Sequence, residues 1–324
     1  MKTKLVYVVV STKKDYYLEQ TLVSMISAKY HNPNVQICLV VDDLTDKTVT
    51  GPRVAILNYV DEKIVVSLPD YYTNPQRSRY LKTTLREHVM GPYLFIDSDT
   101  IITDDLSDID EVLKRGIDIA AVKDSHCNFN EMLLYKMILA RAHLIGWDKE
   151  LVQDKIHFNS GVIFVNDNKA THDFYKKWHE NWLYEVKKGL FYDQLALAYT
   201  NHTLNYPIKE LDGIWDCQIC QDGLPFLHQA KIIHYFVNNG NGRAYFFRNI
   251  DVFAKIKKMG EIPENMMRFI KNGKEAFIGH HSVCGDEDIL LMYSSVRTLC
   301  IRRPHIFKIL DRFVKICLKL FRVN

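Results

Sequence analysis

The chain has 324 residues, of which 47% are hydrophobic and 25% are charged, and its formal net charge is +3. This is an ordinary globular composition, long enough for one large domain or two modest ones. A near-neutral body without a basic face makes nucleic acid a poor partner.

The cysteines and the N-terminal segment indicate the cellular compartment in which the protein is expected. The seven cysteines are an odd number, scattered and mostly within apolar runs, which is typical of a reducing compartment. The apolar run from Leu5 to Val10 is too short for a signal sequence and predicts a first strand. No run approaches the length needed to span a bilayer.

Strand and helix patterns alternate along the first half of the chain. Short apolar runs predict strands, and apolar residues at helical spacing predict the helices between them. This alternation favours an α/β fold with a largely parallel sheet, in which ligands collect at the carboxyl ends of strands. Strands are predicted at 5–10, 35–41, 64–66, 93–96 and 117–122, and helices at 16–30 and 76–89.

Polar and basic side chains mark two further features of this half. Four predicted strands end near polar residues, namely Ser11, Asp42, Asp97 and Asp124. The helix predicted at 76–89 has one apolar face, and its basic residues are expected on other faces: Arg77, Lys82 and Arg86.

The segment from Tyr93 to Ile102 places two carboxylates between two short apolar runs. Side chains two residues apart on a strand share a face, so Asp97 and Asp99 would repel each other unless a cation lies between them. Oxygen ligands suit Mg²⁺ or Mn²⁺, which commonly also hold substrate phosphates. The pattern predicts a divalent metal ion bound to a diphosphate. The alternative is that Asp97-Ser-Asp99 is a solvated turn in an exposed loop.

The second half is less regular. It predicts a strand over 157–165, a helix rich in aromatic residues over 171–188, and a helix that opens at Tyr192. Asp193 would lie in the first turn of that helix, where the dipole favours a carboxylate. Because no linker divides the body, the predicted organisation is a catalytic domain at 1–250, a helical extension at 251–300 and a basic tail at 301–324.

Five motifs follow one another at specific spacings: Arg79-Tyr-Leu-Lys82, Phe95-Ile-Asp97-Ser-Asp99, Phe158-Asn159-Ser160-Gly161-Val-Ile-Phe-Val-Asn166, Tyr192-Asp193-Gln194 and Ile233-His234-Tyr235. In this order the chain resembles glycosyltransferase family 8, which includes glycogenin and bacterial lipopolysaccharide galactosyl- and glucosyltransferases. The similarity runs from about Leu5 to His234. It implies the GT-A fold, a Rossmann-like, mixed and mostly parallel sheet flanked by helices.

The resemblance implies a retaining, metal-dependent enzyme that moves a hexose from a UDP-sugar to a saccharide or lipid-linked saccharide, in the synthesis of cell-surface polysaccharide or lipopolysaccharide. It implies that Mn²⁺ or Mg²⁺ is bound by Asp97, Asp99 and His234. It assigns catalytic roles to Asp193, Gln194 and Asp124. It assigns donor contacts to Ser11, Thr12, Arg79, Lys82, Ser98, Asn159 and Ser160.

Two segments depart from the family pattern. The family often has an acidic residue and Asn-Tyr after the first strand, whereas this chain has Ser11-Thr-Lys-Lys, so Ser11, Thr12 or Asp42 would contact the uracil. The family's His-x-x-Gly-x-x-Lys motif is degraded after His234, and Arg243 could replace the phosphate-binding lysine as a planar fork. The alternative for His234 is a core histidine.

Residues 301–324 contain seven basic residues and one acidic residue. Their apolar side chains fall on one helical face, which indicates a basic amphipathic helix suited to an anionic membrane surface. The alternative is a core-packing helix with a solvated basic face. Together with the family resemblance, the tail predicts a cytoplasmic protein lying peripherally on the inner face of the cytoplasmic membrane.

Two other functions stay open at this level. One is an inverting GT-A enzyme, which would need a positioned base on the acceptor side. The other is a catalytically inactive scaffold that keeps the fold, although retention of both Asp97 and Asp99 argues against it. A sugar nucleotidyltransferase is disfavoured, because the first loop has no Gly-rich phosphate-binding run.

Overall fold

The computed structural model describes residues 1–236, 250–277, 291 and 294–320. The strands in this part are β1 (Lys4–Val9), β2 (Ile37–Asp42), β3 (Glu62–Val66), β4 (Tyr93–Ile96), β5 (Thr100–Ile102), β6 (Ile119–Lys123), β7 (Phe158–Val165), β8 (Ile208–Glu210), β9 (Cys217–Gln218) and β10 (Ile232–His234). The α-helices are α1 (Tyr17–His31), α2 (Asp43–Asp46), α3 (Asn74–Thr83), α4 (Leu85–His88), α5 (Ile109–Lys114), α6 (Tyr135–Ile145), α7 (Asp148–Leu151), α8 (Lys169–Lys187), α9 (Asp193–Thr203), α10 (Ile250–Met259), α11 (Glu264–Lys271), α12 (Ser295–Arg302) and α13 (Pro304–Leu320).

A seven-stranded sheet forms the centre of the molecule, in the order β3-β2-β1-β4-β7-β6-β8. Strands β3, β2, β1 and β4 are parallel, and β6 pairs with β8 in parallel. Only β7 runs antiparallel to its two neighbours, β4 and β6. Buried apolar clusters cover both faces of this sheet. The predicted α/β class with a mixed, mostly parallel sheet flanked by helices is confirmed.

A second, three-stranded sheet, β5-β10-β9, begins where the first one ends. The chain leaves β4 at Ile96, passes through Asp97-Ser-Asp99 and enters β5 directly. Strand β10 runs antiparallel to β5 and pairs His234 with Thr100. The Tyr235 amide donates to the Asp99 carbonyl at 3.0 Å. The pairing of these two short strands therefore brings His234 next to the two carboxylates.

The helix predicted at 76–89 is two helices, because the backbone at Thr84 leaves helical geometry (φ −102°, ψ 7°) between α3 and α4. Its three basic residues were expected on faces other than the apolar one, and all three are nevertheless buried. Each has anionic or carbonyl partners: Arg77 with Asp42 and Asp43, Lys82 with Asp193 and Asp97, Arg86 with Asp167 and the Gly91 carbonyl.

The C-terminal helices differ in how they pack. Helices α10 and α11 bury Phe253, Ile256, Met266 and Ile270 in the same apolar cluster as α1. Most of the described apolar side chains of α13 are exposed instead. The division at residues 250 and 300 stays a prediction, and Arg243 and the last four residues lie outside the described part. Among the described helices, none is both long and apolar enough to cross a bilayer.

Candidate active site

A cavity of about 580 Å³ opens at the carboxyl ends of β1 and β4. It brings together ten residues that the sequence analysis singled out, from five separate segments of the chain. They are Arg79, Lys82, Asp97, Ser98, Asp99, Asn159, Ser160, Asp193, Gln194 and His234. This is the sheet edge at which α/β folds bind ligands.

Three potential metal ligands meet at one side of this cavity. Asp97, Asp99 and His234 each offer one ligand atom, and these atoms lie within 4.8 Å of one another. The Nε2 atom of His234 is 3.2 Å from Oδ1 of Asp99. Two carboxylates and one imidazole form a donor set that suits Mn²⁺ and related divalent ions. These residues therefore fit the divalent ion that the sequence predicts.

The orientation of His234 depends on a residue that sequence reasoning missed. Oδ1 of Asp216 lies 3.0 Å from Nδ1 of His234, and Asp216 is fully buried. A carboxylate that accepts the Nδ1 proton leaves Nε2 to face the ion, as is usual for metal-binding histidines. The buried Gln218 supports Asp216 through its amide, at 3.3 Å. None of the sequence motifs contains Asp216.

Gly161 gives His234 the space it needs. A Cβ atom at this position would lie 2.4 Å from Cε1 and 2.9 Å from Nδ1 of the His234 ring. The backbone is also engaged, because the Gly161 carbonyl accepts from the Asp97 amide at 2.8 Å. The glycine of the Asn-Ser-Gly motif therefore permits close approach of a metal-ligand side chain to β7.

Lys82 connects the metal-ligand residues to the opposite side of the cavity. Its Nζ lies 3.1 Å from Asp193 Oδ2, 3.5 Å from Asp97 Oδ1 and 3.1 Å from Ser160 Oγ. Arg79, one turn earlier on α3 and partly exposed, approaches Asp193 Oδ1 at 3.4 Å. The Ser160 hydroxyl donates to Asp193 at 3.0 Å. Asp193 is thus held by two cations and a hydroxyl at the start of α9.

The charges in this cluster shift its acidities. Burial alone would raise the pKa of Asp193, but Lys82, Arg79 and Ser160 outweigh it and lower the pKa to about 2. Burial raises the pKa of Asp97 to about 6, with Lys82 opposing the shift and Asp99 reinforcing it. Burial disfavours the His234 imidazolium, yet Asp99 and Asp216 raise its pKa well above the ordinary value. A divalent ion at this site would therefore displace a proton from His234.

Asp124 belongs to a second network beside the first. Its Oδ1 accepts from the Asn159 side-chain amide at 3.0 Å, and its Oδ2 accepts from the Gln194 amide at 2.7 Å. Asn159 in turn accepts the Gly161 amide proton at 2.7 Å. This network links the end of β6 to β7 and α9, and of its members Asn159 and Gln194 line the cavity, whereas Asp124 lies behind them.

The loop that follows β1 is less available for binding the donor than the sequence predicted. The Ser11 and Thr12 hydroxyls both donate to Asp15, each at 2.6 Å, and neither residue lines the cavity. Asp42, the third candidate for uracil recognition, is fully buried between the Thr45 amide and Arg77. The expectation that Asp42 contacts a base is wrong, because its carboxylate is committed to neutralising Arg77. Val8–Val10 and Gln20 line the cavity here instead.

The fold of the chain is shared with solved structures. No protein-family model matches the chain, and no curated protein sequence matches it. An active-site variant of LgtC superposes with a TM-score of 0.52 at 14% identity, covering 82% of this chain and 99% of that one. The galactosyltransferase LgtC in complex with donor and acceptor sugar analogues gives 0.50 at 15% identity, covering 84% and 100%.

A third solved structure also superposes on this chain. The bifunctional glycosyltransferase WbbM gives a TM-score of 0.51 at 16% identity, with 83% of this chain and 51% of WbbM covered. This chain therefore has the GT-A glycosyltransferase fold. The resemblance predicted from the sequence is confirmed at the level of the fold. In the GT-A frame of this chain, the Asp97-Ser-Asp99 segment joins the main sheet to the small one, and the cavity lies beside it.

Proposed function

We propose that this protein is a metal-dependent glycosyltransferase that moves a hexose from a UDP-sugar to a saccharide or lipid-linked saccharide, with retention of anomeric configuration. One observation carries the proposal. Asp97, Asp99 and His234 can bind one ion at the edge of a cavity whose other side presents Lys82, Asp193 and Gln194.

The cavity suits an activated sugar. Its volume of about 580 Å³ is within the usual range for small-molecule sites. A divalent ion bound by the three ligands would act as a Lewis acid that stabilises the charge on the departing diphosphate. Lys82 and Arg79 add fixed positive charge beside the same region, where it favours a negatively charged leaving group.

Asp193 is suited to electrostatic stabilisation. With a pKa of about 2 it is ionised at any physiological pH. Because Lys82, Arg79 and Ser160 all contact its oxygens, its lone pairs are occupied and its nucleophilicity is reduced. We therefore assign to Asp193 the stabilisation of positive charge at the anomeric carbon, with the acceptor entering from the face that the phosphate leaves. The leaving phosphate would accept the acceptor's proton.

A panel of UDP-sugars with and without Mn²⁺, assayed for UDP release, tests the proposal. We expect one donor to release UDP in a metal-stimulated reaction and Asp99→Ala to lower the rate by about 10²–10³, as loss of transition-state charge stabilisation typically does. The control Asp173→Ala removes an exposed carboxylate from α8 and should retain the rate. A folded protein that releases UDP from no donor would favour the inactive scaffold.

The stereochemistry needs a separate measurement. Proton NMR of the first product formed from an α-linked donor should show the α anomer if the reaction retains configuration. A β product would require a positioned base and would favour the inverting alternative.

We further propose that α13 holds the protein on an anionic membrane, on the cytoplasmic inner face. Its apolar side chains Ile309 and Phe313 are 70% and 63% exposed, so they do not pack in a core. Lys308, Arg312 and Lys315 are exposed on the same helix. An exposed apolar face flanked by basic residues matches an anionic bilayer in both polarity and charge. Such a location suits a lipid-linked acceptor in cell-surface polysaccharide or lipopolysaccharide synthesis.

A further inference from the structure

A second cavity of about 200 Å³ adjoins the first. Asn159, Tyr192, Gln194 and Phe236 line both, so the two spaces share one wall. The far side of the smaller cavity is formed by α6, through Leu134, Met137, Ile138 and Arg141. A group bound there would lie against Gln194 and Asp124, at the reacting end of the larger cavity.

Arg141 introduces a positive charge into this otherwise largely apolar wall. Its guanidinium carbon lies 4.2 Å from the centroid of the Tyr192 ring, a cation–π contact that orients the planar group. Its side-chain hydrogen bond runs from Nη2 to the Met137 sulfur at 3.6 Å, and a thioether is a weak acceptor. No carboxylate in the described part of the chain forms an ion pair with Arg141.

Asp124 and His157 also line this cavity, and among the described residues neither pairs with Arg141. Both oxygens of Asp124 already accept amide protons, from Asn159 and Gln194. His157 is buried, and desolvation lowers its pKa, which favours the neutral imidazole. A guanidinium without a carboxylate partner is free to form charge-assisted hydrogen bonds with an anionic group of a ligand.

We propose that this cavity binds the acceptor and that Arg141 selects an acceptor with an oxyanion, a carboxylate or a phosphate, on the sugar that enters it. The inference rests on the proposed glycosyltransferase function and names the substrate class of the same site. A guanidinium presents paired N–H donors that match two oxygens of either anion. The Tyr192 contact orients those donors, and Gln194 lines the same cavity.

Matched acceptors test the assignment once a donor has been found by UDP release. Methyl glucoside and methyl galactoside would each be supplied as the neutral sugar, the 6-carboxylate and the 6-phosphate. We expect at least one anionic member to show kcat/KM tenfold or more above its neutral counterpart. The carboxylate and phosphate arms distinguish an acidic sugar from a phosphorylated one.

Two positions on α6 distinguish a specific role of Arg141 from the general effect of removing a positive charge. Arg141→Gln should lower the ratio of anionic to neutral kcat/KM by tenfold or more, mainly through KM, and Arg141→Lys should restore part of it. Lys136→Gln removes an exposed charge from the same helix and should leave the ratio unchanged.

The outcomes separate this inference from the proposed function. Donor hydrolysis with no preference for anionic acceptors, or an equal effect of Arg141→Gln on both classes, would overturn the role of Arg141 alone. UDP release from no donor would overturn the glycosyltransferase proposal, and this inference with it. A preference that disappears in Arg141→Gln and persists in Lys136→Gln would support it.

Discussion

Asp216 and His234 form a buried pair in which the carboxylate lies 3.0 Å from Nδ1 of the imidazole. The pair connects the start of β9 to the end of β10 and determines which ring nitrogen faces Asp97 and Asp99. A metal-binding histidine depends on such a contact for both its tautomer and its orientation.

We predict that Asp216→Ala weakens Mn²⁺ binding by about 10- to 100-fold, the range usual for loss of such a partner. Asp216→Asn keeps an oxygen that can accept the Nδ1 proton, so its effect should be smaller. Titration calorimetry with Mn²⁺ in the presence of UDP measures both, and circular dichroism checks folding. Unchanged affinity in a folded Asp216→Ala protein would contradict the role assigned to this carboxylate.

Gly161→Ala should displace the His234 ring, because the new Cβ would lie 2.4 Å from Cε1. We expect Mn²⁺ affinity to fall at least tenfold and stability to fall by about 1–3 kcal/mol, the usual cost of overpacking. A double-mutant cycle with His234→Ala identifies the clash, since the ring is then absent. If Gly161→Ala lowers stability as much in the His234→Ala background as in the parent protein, the clash with the imidazole ring is not the cause.

Glu185 makes the folded protein sensitive to alkaline pH. It is fully buried on α8, and a hydrogen bond from the Tyr192 backbone only partly offsets the cost of burying its charge. Burial, reinforced by the negative charge of Asp193, raises its pKa from 4.5 to about 9. Between these values the unfolded chain releases a proton that the folded protein retains. Stability is therefore lost progressively as the pH rises through this window.

We predict that Glu185→Gln, which mimics the protonated side chain, gains stability relative to the parent at about 1 kcal/mol per pH unit between about pH 6 and pH 8. Urea denaturation at several pH values measures the difference in the free energy of unfolding. Glu180→Gln, at an exposed position on the same helix, serves as the control. Parallel pH profiles for the parent and Glu185→Gln would show that the carboxyl is not buried in its neutral form.

The tail proposal predicts binding to vesicles that contain anionic phospholipid. Deletion of residues after Arg303 should abolish co-sedimentation, and donor hydrolysis should continue. Ile309→Ser with Phe313→Ser should weaken binding at all salt concentrations. Lys308→Gln with Arg312→Gln should weaken it most at low salt, because screening already reduces the electrostatic part at high salt. A deletion variant that still sediments with the vesicles would refute the proposal.

The sequence predicted the parts of the site that are local in the chain. Asp97 and Asp99 follow a buried strand two residues apart, and alternation along a strand is enough to place both on one face. Asp193 was expected in the first turn of a helix, and α9 begins there. Six of the seven strands of the main sheet were also predicted, because their apolar runs are short and bounded by polar residues. The edge strand β8 was not, because only the first of its three residues is apolar.

The partners of buried charges were not predictable in this way. Lys82 and Arg77 stand at ordinary helix positions, and helical spacing alone assigned them to faces away from the core. Their burial depends on carboxylates that lie elsewhere in the chain, Asp193 for Lys82 and Asp42 for Arg77. No periodicity encodes such a pairing, because it exists only once the sheet and its helices have assembled.

By itself, the sequence determined that the protein is an α/β protein with acidic residues at a strand end, a glycine-containing strand motif and a basic amphipathic tail. These features follow from spacings of two to seven residues, which backbone geometry translates directly into shared faces. Only the tertiary structure decided that Asp216 lies against His234, that Asp42 is buried against Arg77, and that Arg141 and Gln194 line one cavity. Those contacts join segments far apart in the chain, and the packing of two sheets, not any local pattern, sets their distances.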